Sequence, residues 1–400
     1  MADNKDKKVL NVPALRFPEF TGEWERHKLS EVCSFYSGGT PSSSKKEYYN
    51  GNIPFIRSGE LHKDYTELFI TEAGLSNSAA KLVETGDLLL ALYGATSGDI
   101  AISKIKGAIN QAILCIRTKQ NKKFIESVWN KHVERLLQTY LQGGQGNLSA
   151  DIVKNIPFYF ANSNEQDKLA KFISLLDERI ATQNKIIEKY ESLIQAMCDT
   201  LVEQETQQVT LSFSDFGQSY LGLSGKSAED FGEGYPFITY MNVYQNQIID
   251  LTDVGLVKIN ETEQQSVVRY GDILLTLSSE TPEEVGMGAV YLGETYPLYL
   301  NSFCFGIHIT DESKIYPPFL AYYVSSQSFR KAVYPLAQGS TRFNLQKSDF
   351  MKKKFSFPVI EKQRKIYSTL KTYSDKLIVE KQIMRLLCNQ KCYLLRQLFI

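Results

Sequence analysis

The chain has 400 residues, 43% apolar and 12% aromatic, with 45 basic and 45 acidic side chains and a formal charge of zero. That length supports two or three packed domains; no apolar run reaches the ~18 residues of a membrane span, and the charged N-terminus lacks a signal-peptide core, so the chain reads as cytoplasmic. Six scattered cysteines with no CxxC or His-rich spacing argue against a disulfide framework or a zinc site, and Cys388 and Cys392, on one helix face, read as reduced.

Met1 to Lys8 is a polar arm, expected to be mobile. Phe17-Pro18, Gly22, Trp24, Leu29 and Val32 form an amphipathic lead-in, and Ser37-Gly38-Gly39-Thr40-Pro41 is a loop by turn chemistry. The clearest strands are Ile53 to Ile56 and Leu88 to Leu92; Ile100 to Ile102 and Ala112 to Ile116 follow. Gly86-Asp87 turns into the second run and Tyr93 to Gly98 leaves it. Phe124 to Leu141 has a helical period, ended by Gly143-Gly144-Gln145-Gly146-Asn147-Leu148.

Residues 165–205 are a second, longer helix. Its apolar positions alternate by four and three: Leu169, Ile173, Leu176, Ile180, Gln183, Ile187, Tyr190, Ile194, Met197, Leu201. No Pro or Gly interrupts them, which is the pattern of a coiled-coil seam. Adding 197 to each number gives Ile366, Leu370, Tyr373, Leu377, Glu380, Met384, Leu387, Lys391, Leu394 and Leu398, the same seam with the same polar break. Such a match marks an internal repeat.

The segment between the two seams repeats the first segment's order. Pro236-Phe237-Ile238 answers Pro54-Phe55-Ile56, and Gly271-Asp272-Ile273-Leu274-Leu275 answers Gly86-Asp87-Leu88-Leu89-Leu90. Ser278 to Met287 stands for the Tyr93 loop, and Phe319 to Val333 for the shorter helix. Arg342-Phe343-Asn344-Leu345 answers Gln145 to Leu148. The reading is an α+β chain in four parts: a mixed domain in 1–164, a helix in 165–205, a second mixed domain in 206–358 and a second helix in 359–400. A helix of about 38 residues runs roughly 57 Å. The second helix is expected to return alongside it, antiparallel, about a pseudo-twofold axis that brings Gln183 close to Glu380.

The zero net charge hides a pattern. Residues 20–150 are +2, 165–204 are −3, 210–345 are −8 and 346–400 are +9. Opposite signs on the two helices favour their pairing with each other.

In this ordered, doubled set of motifs the chain resembles the specificity (S) subunits of type I restriction–modification enzymes. The motifs are Gly22-x-Trp24 with Leu29, Ser37 to Pro41, Ile53 to Arg57 and Gly86 to Leu89. Gln145 to Leu148 with its partner Arg342 to Leu345 belongs to the set, as do Glu165-Gln166 and Lys362-Gln363 at the helix starts. The second half departs at its start, where Leu211 to Phe216 stands in place of Gly-x-Trp. The resemblance implies two target recognition domains that read double-stranded DNA, one half-site each, and no catalysis by this chain. It implies partner subunits: two methyltransferase subunits that modify adenine, with S-adenosylmethionine, and restriction subunits that act as ATP-dependent translocase and nuclease. A tandem protein-binding scaffold that engages no DNA is the alternative reading.

Gly222-Leu-Ser-Gly225-Lys226-Ser227 has two residues between its glycines where a P-loop needs four. Tyr316-Pro317-Pro318-Phe319 resembles an adenine-methyltransferase motif but starts with Tyr, and reads as Pro at a helix start. No metal or cofactor ligand set is visible, and His27 and His62 read as surface groups. The candidates for DNA contact sit on loops: Thr40, Ser42, Ser43, Arg57, Tyr93, Thr96, Gln145 and Asn147 in the first half, and Lys226, Thr239, Ser278, Ser279, Arg342 and Asn344 in the second. Lys352 to Lys354 is a further phosphate candidate. The acidic second domain implies weak DNA binding without partners, because affinity rests largely on neutralised phosphates.

Overall fold

The computed structural model describes residues 10–141 and 147–400. The N-terminal arm Met1–Lys8 and the candidate Gln145 lie outside the described residues. The chain divides into two compact units, Met1–Asn184 with Ile383–Ile400, and Lys185–Gln382.

In the first unit an antiparallel sheet runs in the order Cys33–Ser37, Ile113–Thr118, Leu88–Ala91, Ile100–Ile102. A second sheet runs Phe69–Ile70, Tyr49–Ile56, Gly107–Ile109, Lys81–Val83. The all-apolar Leu88–Ala91 strand of the first sheet is covered on both faces. Leu88 and Leu90 join a core with Trp24, Trp129 and the helix Lys122–Leu141. Leu89 and Ala91 join one with Ile56, Val83 and Ile109 from the second sheet. Alternate side chains leave a strand on opposite faces, so a strand covered on both faces is a continuous apolar run. Burying one such Leu contributes about 1.5–3 kcal/mol.

The second unit repeats this. Gly217–Leu221, Cys304–Ile309, Ile273–Thr276 and Gly288–Val290 form its four-stranded sheet. Ile273 and Leu275 face one core and Leu274 another. The second sheet is Val254–Val257, Phe231–Ile238, Tyr299–Leu300. Its start is resolved by strand pairing. Gln208–Ser212 pairs with Lys354–Pro358, as Glu25–Lys28 pairs with Pro157–Phe160. Leu211 to Phe216 is therefore the end of that strand and a short turn, with Phe213 fully buried among five aromatic rings. The helix expected over Phe319 to Val333 is two helices, Pro317–Tyr323 and Gln327–Val333. Ser326 breaks it: its Oγ caps the second piece by accepting from Phe329 N.

The long helices span Ser163–Glu203 and Ile360–Leu398. In the first unit Leu169 and Ile173 share a core with Leu394, Leu395 and Leu398, and Asp177 pairs with Lys391 at 2.6 Å. In the second unit Ile194, Met197 and Leu201 share one with Ile366, Leu370, Tyr373 and Leu377. The start of one helix thus meets the end of the other in each unit, which is an antiparallel pairing. Ile187 and Leu387 are buried on the seam; Leu176, Ile180 and Met384 are half-buried. Where the helices dock on their domains the buried positions widen beyond the seam to Cys198, Val202 and Leu395.

Each long helix is tied to its domain by one buried glutamine. Gln166 Nε2 donates to Ala161 O (2.7 Å) and Gln120 Oε1 (2.8 Å), and its Oε1 accepts from Asn121 N (3.1 Å). Gln363, at the equivalent place, donates to Pro358 O (2.8 Å) and Lys314 O (3.3 Å) and accepts from Tyr316 N (2.7 Å).

Candidate nucleic-acid interface

In each unit the loop leaving the central strand is pegged by a buried leucine. Leu148 N donates to Leu92 O (3.0 Å), and Leu345 N to Leu277 O (2.8 Å). Both leucines are buried while their neighbours Asn147 and Asn344 are exposed. In the first unit this places Asn147 near Tyr93 and Thr96. Thr40 joins them by donating to Gln111 Oε1 (2.5 Å), beside the Leu92 N to Ala112 O bond. Gly38 has to lack a side chain here: a Cβ would lie 1.8 Å from Ile109 O. Ser42 and Ser43 are exposed, with Ser42 Oγ 2.8 Å from Ser44 Oγ.

Arg57 is placed differently. Its guanidinium is held by Glu60 and Glu67, each at 2.8 Å. Burial pushes the Glu60 carboxyl up, but the Arg57 guanidinium and the backbone N–H groups of Arg57 and Glu67 outweigh it and hold it at about 2. Arg57 therefore meets any phosphate already neutralised. Lys226 is similar: it is buried against Glu263 at 2.5 Å. Lys354 of the basic run pairs with Asp215 at 2.7 Å. Thr239 caps a helix, accepting from Asn242 N (3.1 Å). Tyr316 stacks edge-on against Tyr367, and Pro317-Pro318 opens the helix that follows.

In the second unit, three separate segments close around a cleft of about 620 Å3. The helix Tyr240–Gln245 supplies Tyr240 and Tyr244, stacked 5.9 Å apart. Tyr240 donates to Ser278 O and Tyr244 to Glu284 Oε1, both at 2.7 Å. Ser278 and Ser279 pair as a short strand with Asn344 and Phe343. Arg342 donates to Ser278 Oγ (3.2 Å), and its guanidinium lies 5.6 Å from the Phe303 ring centre. The structure thus brings Ser278, Ser279, Arg342 and Asn344 together. Sequence reasoning missed Tyr240, Tyr244, Glu280 and Glu284.

A family model for the type I restriction modification DNA specificity domain matches this chain twice, over residues 21–192 and 222–387. The chain belongs to this specificity family. It is a type I specificity subunit, the non-catalytic DNA-recognition component of its system. The MjaVIII specificity subunit of Methanocaldococcus jannaschii is 22% identical, over 94% of this chain and 92% of its own. The EcoR124I/EcoR124II specificity subunit of Escherichia coli is 27% identical over 41% and 43%. Among solved structures, the S subunit from M. genitalium superposes with a TM-score of 0.55 at 17% identity, covering 97% of this chain and 99% of its own. A structure described as showing type I complex assembly and conformational transition gives 0.58 at 15% identity, covering 93% and 96%. These likenesses show the fold. Among the described residues no helix is long and apolar enough to cross a membrane, and no cluster of side chains could hold a metal.

Proposed function

We propose that this specificity subunit reads a bipartite, asymmetric site on double-stranded DNA in the bacterial cytoplasm. Each domain takes one half-site, and the paired helices set the unread gap. It positions two methyltransferase subunits, which carry S-adenosylmethionine and modify adenine, and restriction subunits that consume ATP. The observation that carries this is the doubled domain with shared anchors and different loops. Leu148 and Leu345 peg equivalent loops, and Gln166 and Gln363 tie equivalent helices. Yet the first domain offers Tyr93 where the second offers Ser278, the second adds Glu280 in a longer loop, and the sequence has Gln145 where the second domain has Arg342, while Asn147 and Asn344 are alike. Same frame and different reading groups suit two unlike half-sites. The contacts are drawn from Thr40, Ser42, Ser43, Tyr93, Thr96 and Asn147 in one domain and Ser278, Ser279, Arg342 and Asn344 in the other. Arg57 and Lys226 contribute less, since their charges are already paired.

The test replaces residues 210–345 with the corresponding segment of another member of the family. Methylated adenines are then sequenced in cells that also make the methyltransferase subunit. One half-site of the motif is expected to change and the other to persist. A change in both half-sites would sink the one-domain, one-half-site reading. An absence of sequence-specific methylation with the unaltered chain would favour the protein-scaffold alternative.

A further inference from the structure

The cleft of the second domain holds one cation and two anions. Arg342 pairs with no carboxylate among the described residues, and one of its terminal nitrogens donates to Ser278 Oγ. The Phe303 ring beside it holds the plane of the guanidinium without using its donors. Glu280 is exposed at the rim and Glu284 keeps one oxygen on Tyr244. Two carboxylates beside one guanidinium make the cleft net negative, which repels a phosphate. A base edge is neutral and offers both donors and acceptors. A guanidinium fork matches O6 and N7 of guanine, and a carboxylate matches the N4 amino group of cytosine. Resting on the specificity reading above, we propose that this cleft reads a G·C pair within the half-site of the second domain. Arg342 donates to guanine O6 and N7, and Glu280 accepts from N4 of the paired cytosine.

The geometry supplies the rigidity that such reading needs. Tyr240 and Tyr244 are fixed at their hydroxyls to the two ends of the 278–284 loop, Ser278 O and Glu284 Oε1. That loop is in turn held from behind by Arg330, which donates to Glu283 O (2.7 Å), Val285 O (2.6 Å) and Gly286 O (2.7 Å). The arrangement also explains how an acidic domain can serve a DNA reader: its acidic groups at this place face base amino groups.

The experiment uses the chain in complex with its methyltransferase subunits. The methylated motif is first established by sequencing, and duplexes carrying it are titrated by fluorescence anisotropy. In the half-site of the second domain, 7-deazaguanine, which lacks the N7 acceptor but keeps O6, is expected to weaken binding several-fold, by part of what a whole bidentate pair is worth. Arg342→Gln is expected to bind the normal and 7-deaza duplexes equally. Glu280→Gln is expected to relax the requirement at the cytosine, and it lies on the exposed rim where folding does not depend on it. Three results would overturn the proposal: a half-site with no G·C pair, discrimination that survives both substitutions, or an Arg342→Gln complex that weakens on every duplex alike with the salt slope reduced by about one. The last is the signature of a phosphate contact. If the unaltered complex has no motif, the specificity reading fails and this proposal with it, a result visible before any variant is made.

Discussion

Gln166 and Gln363 show how the repeat works at the scale of single residues. Each has its amide enclosed by three backbone or side-chain partners at a helix start, and each is all but fully buried. A buried donor or acceptor left without a partner costs about 1–3 kcal/mol. Gln363→Ala leaves Tyr316 N and Pro358 O unmet and is expected to destabilise the second unit by about that much, read as a lower urea midpoint. Gln363→Glu should recover little, because a carboxylate cannot donate to Pro358 O. Glu60 gives a pH prediction for the first unit. Its folded pKa, about 2, lies below the ordinary 4.5. Its stabilisation is therefore present above about pH 4.5 and is lost as pH falls towards 2. The stability gap between the natural chain and Glu60→Gln is expected to close over that window. A gap that stays constant from pH 6 to 2.5 would show that the carboxylate charge contributes nothing.

Among the elements, those with local signals were legible and those made by distant pairing were not. The Gly-Asp turns, the apolar central strands and the heptads free of Pro and Gly each carry their own punctuation or period, and the observed strands Leu88–Ala91 and Ile273–Thr276 fall where it places them. The strand Gln208–Ser212 was hidden because it pairs with Lys354–Pro358, far along the chain. The split at Ser326 was hidden because Ser inside a helical period looks tolerable until its hydroxyl is seen capping. The cleft was half legible: Ser278, Ser279 and Arg342 lie in loops that turn chemistry marks, whereas Tyr240 and Tyr244 sit on a six-residue helix with no motif. Arg330 belongs to this scale, since it joins the helix Gln327–Val333 to the loop, as Trp129 Nε1 joins its helix to Gly98 O at 2.7 Å in the first unit. Hydrogen bonds from a charged donor are worth about 1.5–3 kcal/mol. Arg330→Met is expected to cost that much stability and to blur only the half-site of the second domain. Arg330→Lys should not restore it, because one ammonium lacks the planar fork that reaches three carbonyls. Full discrimination in both variants would mean that the loop holds its shape unaided.

For the molecule as a whole the proposed reading turns on length. The long helices have 41 and 39 residues, contain no Pro or Gly, and start 197 residues apart in matching register. At 1.5 Å per residue each runs about 60 Å. If the paired helices set the gap between half-sites, their length has to be legible in the methylated motif. Removing one heptad from the middle of each helix keeps the apolar seam in phase, because the pattern repeats every seven residues. It shortens the pair by roughly 10 Å. At about 3.4 Å per base pair that corresponds to about three base pairs of unread DNA. Three base pairs also turn the duplex by roughly a third of its ~10.5-base-pair repeat, so the shortened chain has to find its second half-site rotated as well as nearer. Two outcomes agree with a ruler: a motif whose gap is about three base pairs shorter, or methylation that ceases while the chain still folds and still binds its methyltransferase subunits. Deleting a heptad from one helix alone breaks the matched register and is expected to lower the thermal midpoint in addition. Sequencing methylated adenines in cells that carry the double deletion decides the matter, and an unchanged gap at full activity would show that the helices do not measure the DNA.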